Sequence, residues 1–404
     1  MSEPAPHSTD PKSDSAATGR NSTWAAILGL GYVSLAADMV YEGARSITGP
    51  FLEHLGATAF IVGLVTGLGE ALALGLRLAS GPMADKPQRQ WPLAMAGYAA
   101  TAVAVPLMAI APLLGGAGLA VAATLVLIER TGKAVRSPAK SALLASVARQ
   151  VGTGKGFGVH KALDQVGAFS GPLVVAGVIA LSGHMAWALA VLAIPGAVSL
   201  VLLVRTQRNF PDPIEANAAE VTTKLPARFW AFAIACAVST AGLLTFGVLS
   251  YHLVRDGLVT AGWVPVIYAG SMAVAAVAAL ITGVAFDRWH AKVLLALPLL
   301  VIPVPFLGFA GSLPVVLIGL TLWGAAAGVQ DSTVKALVAD LVPKQRLGSA
   351  YGMFAVTQGL GALAGGAIGG ALYADHLALL AWGNAALQVL ALIAIAVTTH
   401  RSPR

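Results

Sequence analysis

The chain has 404 residues, of which 57% are hydrophobic and only 11% are charged. A water-soluble domain carries about 25% charged residues, so this composition excludes a series of soluble domains. The mean hydropathy of +0.78 indicates that most of the chain is solvated by lipid. The net charge of +7 does not indicate nucleic acid binding, because Lys and Arg lie mostly in short segments between apolar runs.

The first 22 residues are rich in Pro and Ser and contain no apolar core, which is typical of a disordered tail and not of a signal peptide. Apolar stretches long enough to span a bilayer, on the order of 20 residues each, then follow in chain order. They lie near 24–46, 57–80, 92–111, 116–137, 157–182, 185–205, 228–253, 262–286, 293–310, 313–336, 349–374 and 377–398. We therefore expect an all-α membrane protein with twelve transmembrane helices.

The longest polar internal segment follows the sixth stretch and divides the chain almost in half. The predicted units are a disordered cytoplasmic tail (1–22), a six-helix bundle (23–205), a cytoplasmic linker (206–227), a second six-helix bundle (228–398) and a short cytoplasmic tail (399–404).

The basic residues are distributed unevenly between the two sets of loops. Of the 25 Lys and Arg residues, sixteen lie in the tails and in alternate loops, whereas the opposite loops hold only Arg255. Loops rich in Lys and Arg stay in the cytoplasm. We therefore expect a bacterial inner membrane protein with both termini in the cytoplasm.

An internal repeat relates the two halves. Gly81 and Asp85, after the second stretch, match Gly283 and Asp287 after the eighth, 202 residues later. A second match, offset by 194 residues, pairs Gly167 with Gly361 and Gly171 with Gly365. Each half is thus predicted to be the same six-helix unit in the same orientation, which makes the bundles pseudo-symmetric.

The loop after the second stretch resembles the signature of the major facilitator superfamily, and the resemblance extends over residues 24–398. Its residues are Gly81, Asp85, Lys86 and Arg89, and those of the second-half match are Gly283, Asp287, Arg288 and Lys292. In that family this cluster latches the cytoplasmic side in the outward-open state. The resemblance therefore implies a gating role for these residues, and a monomer.

Two further patterns resemble motifs of the same superfamily. Gly167, Gly171 and Pro172 in the fifth stretch are similar to the antiporter motif of drug/proton exchangers, although Val175 and Ala176 replace its later glycines. Arg130 is similar to the fourth-helix Arg that is linked to proton transfer in the family. These resemblances imply export of a solute in exchange for protons.

Charged residues inside the apolar stretches are functional candidates, because a charge at bilayer depth costs about 2.5–3.5 kcal/mol unless it is paired or hydrated. At 1.5 Å of rise per residue, Glu129 and Glu70 are predicted near the midplane. Asp38 and Glu42 are predicted toward the periplasm, and Arg136 and Asp164 toward the cytoplasm, as are Asp331 and Lys335.

We expect proton coupling from carboxylates, first from Glu129 and Glu70. The full set of coupling candidates is Glu129, Glu70, Glu42, Asp38 and Asp164. The candidates for binding solute are Arg45, Arg130, Lys133, Arg136, Tyr41, Trp323, Gln330, Asp331 and Lys335. For any one of these charges, a fixed structural ion pair is the competing interpretation.

The sequence does not indicate a metal site, a catalytic nucleophile or a phosphate-binding loop. No Cys/His spacing indicates a metal site, no nucleophile signature is present, and the one partial phosphate-loop pattern lacks its leading Gly and closing Ser or Thr. We expect no enzyme activity and no cofactor. The predicted function is proton-coupled export of a small organic solute by alternating access. Uptake of a small organic anion, lipid flipping and a non-transporting sensor remain alternatives.

Overall fold

The computed structural model describes residues 11–84, 86–148, 153–210, 225–342 and 347–400, and every regular element in these ranges is helical. The first half contains α1 (Pro11–His54), α2 (Ala59–Gly75), α3 (Arg77–Ala84), α4 (Pro87–Leu107), α5 (Gly118–Ala148), α6 (Thr153–Ser182), α7 (Met185–Val191) and α8 (Ala193–Asn209). The second half contains α9 (Ala227–Leu243), α10 (Phe246–Arg255), α11 (Val264–Trp289), α12 (Ala296–Val301), α13 (Val304–Gly308), α14 (Leu313–Leu341), α15 (Leu347–Tyr373) and α16 (Leu377–His400).

Ten helical segments in the described ranges are long and apolar enough to cross a membrane. One of them, Gln88–Ala148, comprises α4 and α5, which are joined by a 3-10 segment whose Gly115 has a φ of 53°. The shorter apolar segment Lys292–Gly308 contains α12 and α13. The all-α membrane fold is confirmed. The count of twelve spans stays a prediction, because it requires this short segment to cross as well.

The first helix begins earlier than the sequence predicts. α1 starts at Pro11, so residues 11–22 are helical where a disordered tail is expected. Once a helix has formed, each added residue contributes a hydrogen bond without a new nucleation cost, so an apolar helix extends into polar sequence. Residues 1–10 and most of the predicted linker, 211–224, lie outside the described residues.

The sequence repeat corresponds to a repeated packing contact. In each half, two glycines lie against carbonyl oxygens of the first helix, so closely that a Cβ atom would overlap the oxygen. The four contacts are Gly167 on Leu35, Gly171 on Met39, Gly361 on Ala237 and Gly365 on Ala241. The partners in these contacts are 194 and 202 residues apart, the two offsets that the motifs show.

The two halves pack along α2 and α15, where Gly63 lies against Gly366 and Gly359 against Ala71, and they also meet at the end of the molecule that carries the loop between α1 and α2. There Thr66 and Thr245 share a 2.8 Å hydrogen bond, and Arg255 lies 3.9 Å from Glu53. At the opposite end, no described atom lies within 4 Å of a Cβ added to Gly81 or to Gly283. The predicted gating glycines therefore make no close contact with another helix among the described residues, whereas the two halves are in contact at the predicted periplasmic end.

The seventh stretch is broken in the middle, between α9 and α10. Leu244 adopts a φ of 62°, a region that L-residues with a branched side chain rarely enter. Its carbonyl accepts a 3.4 Å hydrogen bond from the indole of Trp323 on α14. Irregular backbone at membrane depth requires such internal partners, so Trp323 supports the break.

Candidate functional site

Seven side chains of the first half form a charged cluster within the membrane-spanning region, and one tyrosine of the second half joins it. This central cluster consists of Tyr41, Glu42, Arg45, Glu70, Glu129, Arg130, Lys133 and Tyr268. The structure thus brings together coupling and binding candidates from α1, α2 and α5. Their helical spacing predicts a shared face on each helix, and the bundle brings these faces together.

Glu70 on α2 is the centre of the ion pairs. Its carboxylate lies 2.9 Å from the guanidinium of Arg45 and 3.4 Å from that of Arg130. Gly69, the residue before it, packs against the Arg130 side chain and leaves room for it. One carboxylate therefore bridges two arginines from different helices.

The buried side chain of Tyr41, which is 1% exposed, contacts three cations. Its hydroxyl accepts hydrogen bonds from Arg130 and, at 3.1 Å, from Arg45. The ammonium of Lys133 lies 3.3 Å from the centre of its ring. A cation over an aromatic face contributes about 0.5–2 kcal/mol, so Tyr41 positions all three cations.

Glu129 is buried, with 4% of the residue exposed. Its Oε2 lies 3.4 Å from Nε of Arg130, while its Oε1 has no hydrogen-bond partner among the described residues. A buried carboxylate oxygen without a partner costs free energy while the group is ionised. Of the predicted coupling residues in the central cluster, Glu129 is therefore the least compensated.

Glu42 connects the two halves. It accepts a 2.5 Å hydrogen bond from the hydroxyl of Tyr268 on α11, and it also lies 4.0 Å from Arg45. Sequence reasoning missed Tyr268, because one tyrosine in an otherwise apolar helix carries no distinguishing signal. The bond joins a charged group of one bundle to the other bundle.

A second group of charges lies along α1, α5 and α6, adjacent to the central cluster. Arg136 lies 3.4 Å from Asp38, and Asp164 lies 3.4 Å from Lys140 and 2.9 Å from Lys161. The two side chains are thus in contact, although the sequence predicts Asp38 toward the periplasm and Arg136 toward the cytoplasm. Because the apolar part of α1 runs from Thr23 to His54, Asp38 is at its middle.

The second half places neutral groups at the matching positions. Gln330 donates hydrogen bonds to Thr240 at 2.6 Å and to Gln358 at 2.9 Å. By the repeat offsets, these three residues correspond to the second charged group: Gln330 to Arg136, Thr240 to Asp38 and Gln358 to Asp164. Gln330 thus belongs to a polar cluster of its own. The side chains of Asp331 and Lys335 lie outside the described residues.

The central cluster has no charged counterpart in the second half. The residues matching Glu42, Arg45, Glu70, Glu129, Arg130 and Lys133 are Leu244, Gly247, Met272, Trp323, Gly324 and Ala327. The same packing unit therefore forms without charge at these six positions, which weakens the interpretation that the ion pairs are needed for the fold.

The binding candidate Trp323 lies in the apolar core of the second half and is 3% exposed. It packs against Phe246, which in turn packs against Tyr268 at a ring distance of 4.6 Å. Trp323 is therefore linked to the central cluster through two aromatic rings and has no contact of its own with a charged side chain among the described residues.

The predicted gate is described only in part. Lys86 and Arg89 are exposed, as are Arg288 and Lys292. Asp85 lies outside the described residues, and so does the side chain of Asp287. The antiporter-like residues Gly167, Gly171 and Pro172 are buried against α1. In the described part of the chain, no group of three or more His, Cys, Asp or Glu side chains could hold a metal ion.

Comparison with known proteins gives relatives over nearly the whole chain. An uncharacterized protein of Mycobacterium tuberculosis is 47% identical over 382 residues, which is 92% of each chain. An uncharacterized MFS-type transporter of Methanocaldococcus jannaschii is 24% identical over 355 residues, 85% of this chain and 87% of its own length. The sequence model of the Major Facilitator Superfamily matches residues 257–404.

Solved transporter structures share the fold. A variant of the nucleoside transporter NupG superposes with a TM-score of 0.76 at 15% identity, covering 92% of this chain and 99% of its own. A variant of the peptide transporter POT gives 0.73 at 15% identity, with coverage of 93% and 94%. Taken with the helical bundles and their repeat, these matches show that the chain belongs to the major facilitator superfamily, whose members are multi-pass membrane transporters.

Proposed function

We propose that this protein is a proton-coupled secondary transporter of a small organic solute, with Glu129 as the coupling residue and alternating access between the two bundles. The observation that carries the proposal is the environment of Glu129. Its carboxylate is buried, one oxygen has no hydrogen-bond partner among the described residues, and the other lies 3.4 Å from Arg130.

Such a carboxylate is expensive to keep ionised and inexpensive to keep protonated. The matching position in the second half holds Trp323, so the fold does not need an acid there. Glu129 is thus a buried carboxylate that is retained at a cost in free energy. Such a group is a candidate for taking up and releasing a proton in each transport cycle.

The network around Glu129 supplies a route from proton binding to bundle movement. Arg130 contacts both Glu129 and Glu70, and Glu70 also holds Arg45, which lies beside Glu42. Glu42 in turn accepts the hydrogen bond from Tyr268 of the other bundle. Neutralising Glu129 changes the attraction on Arg130, and the change is transmitted through shared partners to the contact between the bundles.

Charge balance in the central cluster favours one direction of transport. The central cluster holds three cations (Arg45, Arg130, Lys133) and three carboxylates (Glu42, Glu70, Glu129), so its formal charge is zero. A proton on Glu129 makes it +1. A bound anion and a bound proton then favour each other, and the two move in the same direction. This arithmetic supports proton-coupled uptake of an organic anion.

Export is the second candidate, favoured by the resemblance of Gly167, Gly171 and Pro172 to the antiporter motif. The glycines make the same contact as Gly361 and Gly365 in the other half, so their packing is a property of the repeat and adds nothing for export. Only Pro172 is specific to the first half, since its match is Gly366.

The test uses proteoliposomes loaded with a pH-sensitive dye and a panel of metabolites added outside at equal internal and external pH. Solute-induced movement of protons supports coupling, and its sign gives the direction. Acidification of the interior means that proton and solute enter together, whereas alkalinisation of the interior means that protons leave in exchange for the solute. Solute uptake with no change of internal pH for any transported compound would contradict the proposal.

A further inference from the structure

We propose that Lys133 binds an anionic group of the solute, either a carboxylate or a phosphate ester. This inference rests on the proposed function, since it takes the bound molecule to be the transported one. The sequence offers Arg45, Arg130, Lys133 and Arg136 as equal candidates for such a role. The structure separates them.

Three of the four cations are already neutralised within the described part of the chain. Arg45 and Arg130 share Glu70, at 2.9 and 3.4 Å, and Arg136 pairs with Asp38 at 3.4 Å. Lys133 has no carboxylate within 4 Å among the described residues, and its ammonium group lies over the ring of Tyr41. It is the cation of the central cluster whose charge is left for another group.

Two of the three neighbouring carboxylates, Glu42 and Glu70, are engaged elsewhere, and the third, Glu129, attracts Lys133 without forming an ion pair with it within 4 Å. Glu42 and Glu70 attract Lys133 from beyond ion-pair distance. Glu42, however, accepts the 2.5 Å bond from Tyr268, and Glu70 bridges two arginines. An ammonium fixed on an aromatic ring, with its N–H groups not taken up by a carboxylate, has donors available for an incoming anion.

The fold itself does not require a cation at this position. The residue that matches Lys133 in the second half is Ala327, which packs against the apolar core. Lys133 is also half-buried, whereas Arg130 is 3% exposed. Arg130 is both paired with carboxylates and enclosed, whereas Lys133 is only half-buried and has no carboxylate within 4 Å among the described residues.

The position of Lys133 also places the anion next to the proton. Lys133 follows Glu129 by four residues on α5, so the two side chains share one face of the helix. An anion on Lys133 would lie beside a carboxyl group that is compatible with it only when protonated. Binding of the anion to Lys133 therefore requires Glu129 to be protonated, and so neutral, while the solute is bound.

The test measures ligand-induced thermal shifts of the purified full-length protein with matched probe pairs. The probes are succinate against succinamide, benzoate against benzamide, glutamate against glutamine, and inorganic phosphate alone. The variants are Lys133→Met, Lys133→Arg and, as a control for nonspecific anion effects, Lys155→Met at an exposed position. A ligand that binds the folded protein raises its melting temperature by mass action.

We expect at least one anion to stabilise the wild type and Lys155→Met more than its amide does. In Lys133→Met that anion should bind at least about tenfold more weakly, whereas Lys133→Arg should retain most of the affinity. Equal stabilisation of Lys133→Met, preference for the uncharged partners, or no response to any anion would overturn the inference. Binding that depends on Lys133 without proton movement would instead overturn the proposed function alone.

Discussion

Arg136 of α5 and Gln330 of α14 occupy matching positions of the two bundles, 194 residues apart, and each donates a hydrogen bond to the first helix of its bundle. Arg136 contacts Asp38 at 3.4 Å, and Gln330 contacts Thr240 at 2.6 Å. The second half thus forms with neutral side chains the helix contact that the first half forms with charged side chains. This natural comparison within one chain underlies the first prediction.

Replacing both members of the Asp38–Arg136 pair with their counterparts should be far less harmful than replacing one. Asp38→Thr alone leaves the buried Arg136 without its carboxylate partner, and losing one partner of a buried pair costs about 3–5 kcal/mol. The double variant Asp38→Thr with Arg136→Gln copies the Thr240–Gln330 bond and should recover most of that loss. Thermal melting of the single and double variants in detergent measures the coupling. Additive losses would show that the two sites do not form equivalent contacts.

The hydrogen bond between Tyr268 and Glu42 should favour the conformation that is closed at the loop between α1 and α2. Tyr268→Phe removes a bond to a charged acceptor, which contributes about 1.5–3 kcal/mol, and should therefore increase the open population at that end. Spin labels at His54 and Thr260, both exposed, report the separation of the bundles there.

The matched control for this variant is Tyr32→Phe, at a position that is 49% exposed. The labelled control should give the distance distribution of the wild type. If Tyr268→Phe does so as well, the bond has no role in closure.

Close contact between α1 and α6 should make Gly171 intolerant of any side chain. A Cβ atom there would overlap the carbonyl oxygen of Met39, and overpacking of this kind costs about 1–3 kcal/mol or more. Gly177 on the same helix has open space around its Cβ position. We expect Gly171→Leu to lower the melting temperature and the yield of folded protein, and Gly177→Leu to leave both near the wild-type values. Equal tolerance at the two positions would contradict the packing described here.

Much of the fold could be predicted from the sequence, because lipid imposes simple rules. Span length, the distribution of Lys and Arg and the repeat of Gly167 at Gly361 are local patterns that a single sequence displays. The start of α1 at Pro11 and the break at Leu244 could not be predicted. The first depends on helix propagation, and the second on a hydrogen bond from Trp323, 79 residues away.

Except for Tyr268, the residues of the central cluster could be predicted from the sequence, but the contacts between them could not. Charges at helical spacing identified Glu70, Glu129 and Lys133 as neighbours on particular helix faces. Which cation each carboxylate contacts depends on how α1, α2 and α5 pack, and a sequence does not contain that geometry. For this reason only the structure shows that the two carboxylates differ in their partners. Glu70 bridges two arginines, whereas one oxygen of Glu129 has no hydrogen-bond partner among the described residues.

The most direct test of proton coupling compares Glu129→Gln with Asp375→Asn, a control at an exposed carboxylate between α15 and α16. For a solute identified by the flux screen, we would measure uptake driven by a pH gradient and, separately, exchange of labelled for unlabelled solute without a gradient. We expect Glu129→Gln to exchange solute but to lose gradient-driven accumulation, while Asp375→Asn keeps both. Accumulation by Glu129→Gln at the wild-type level would remove Glu129 from the coupling role.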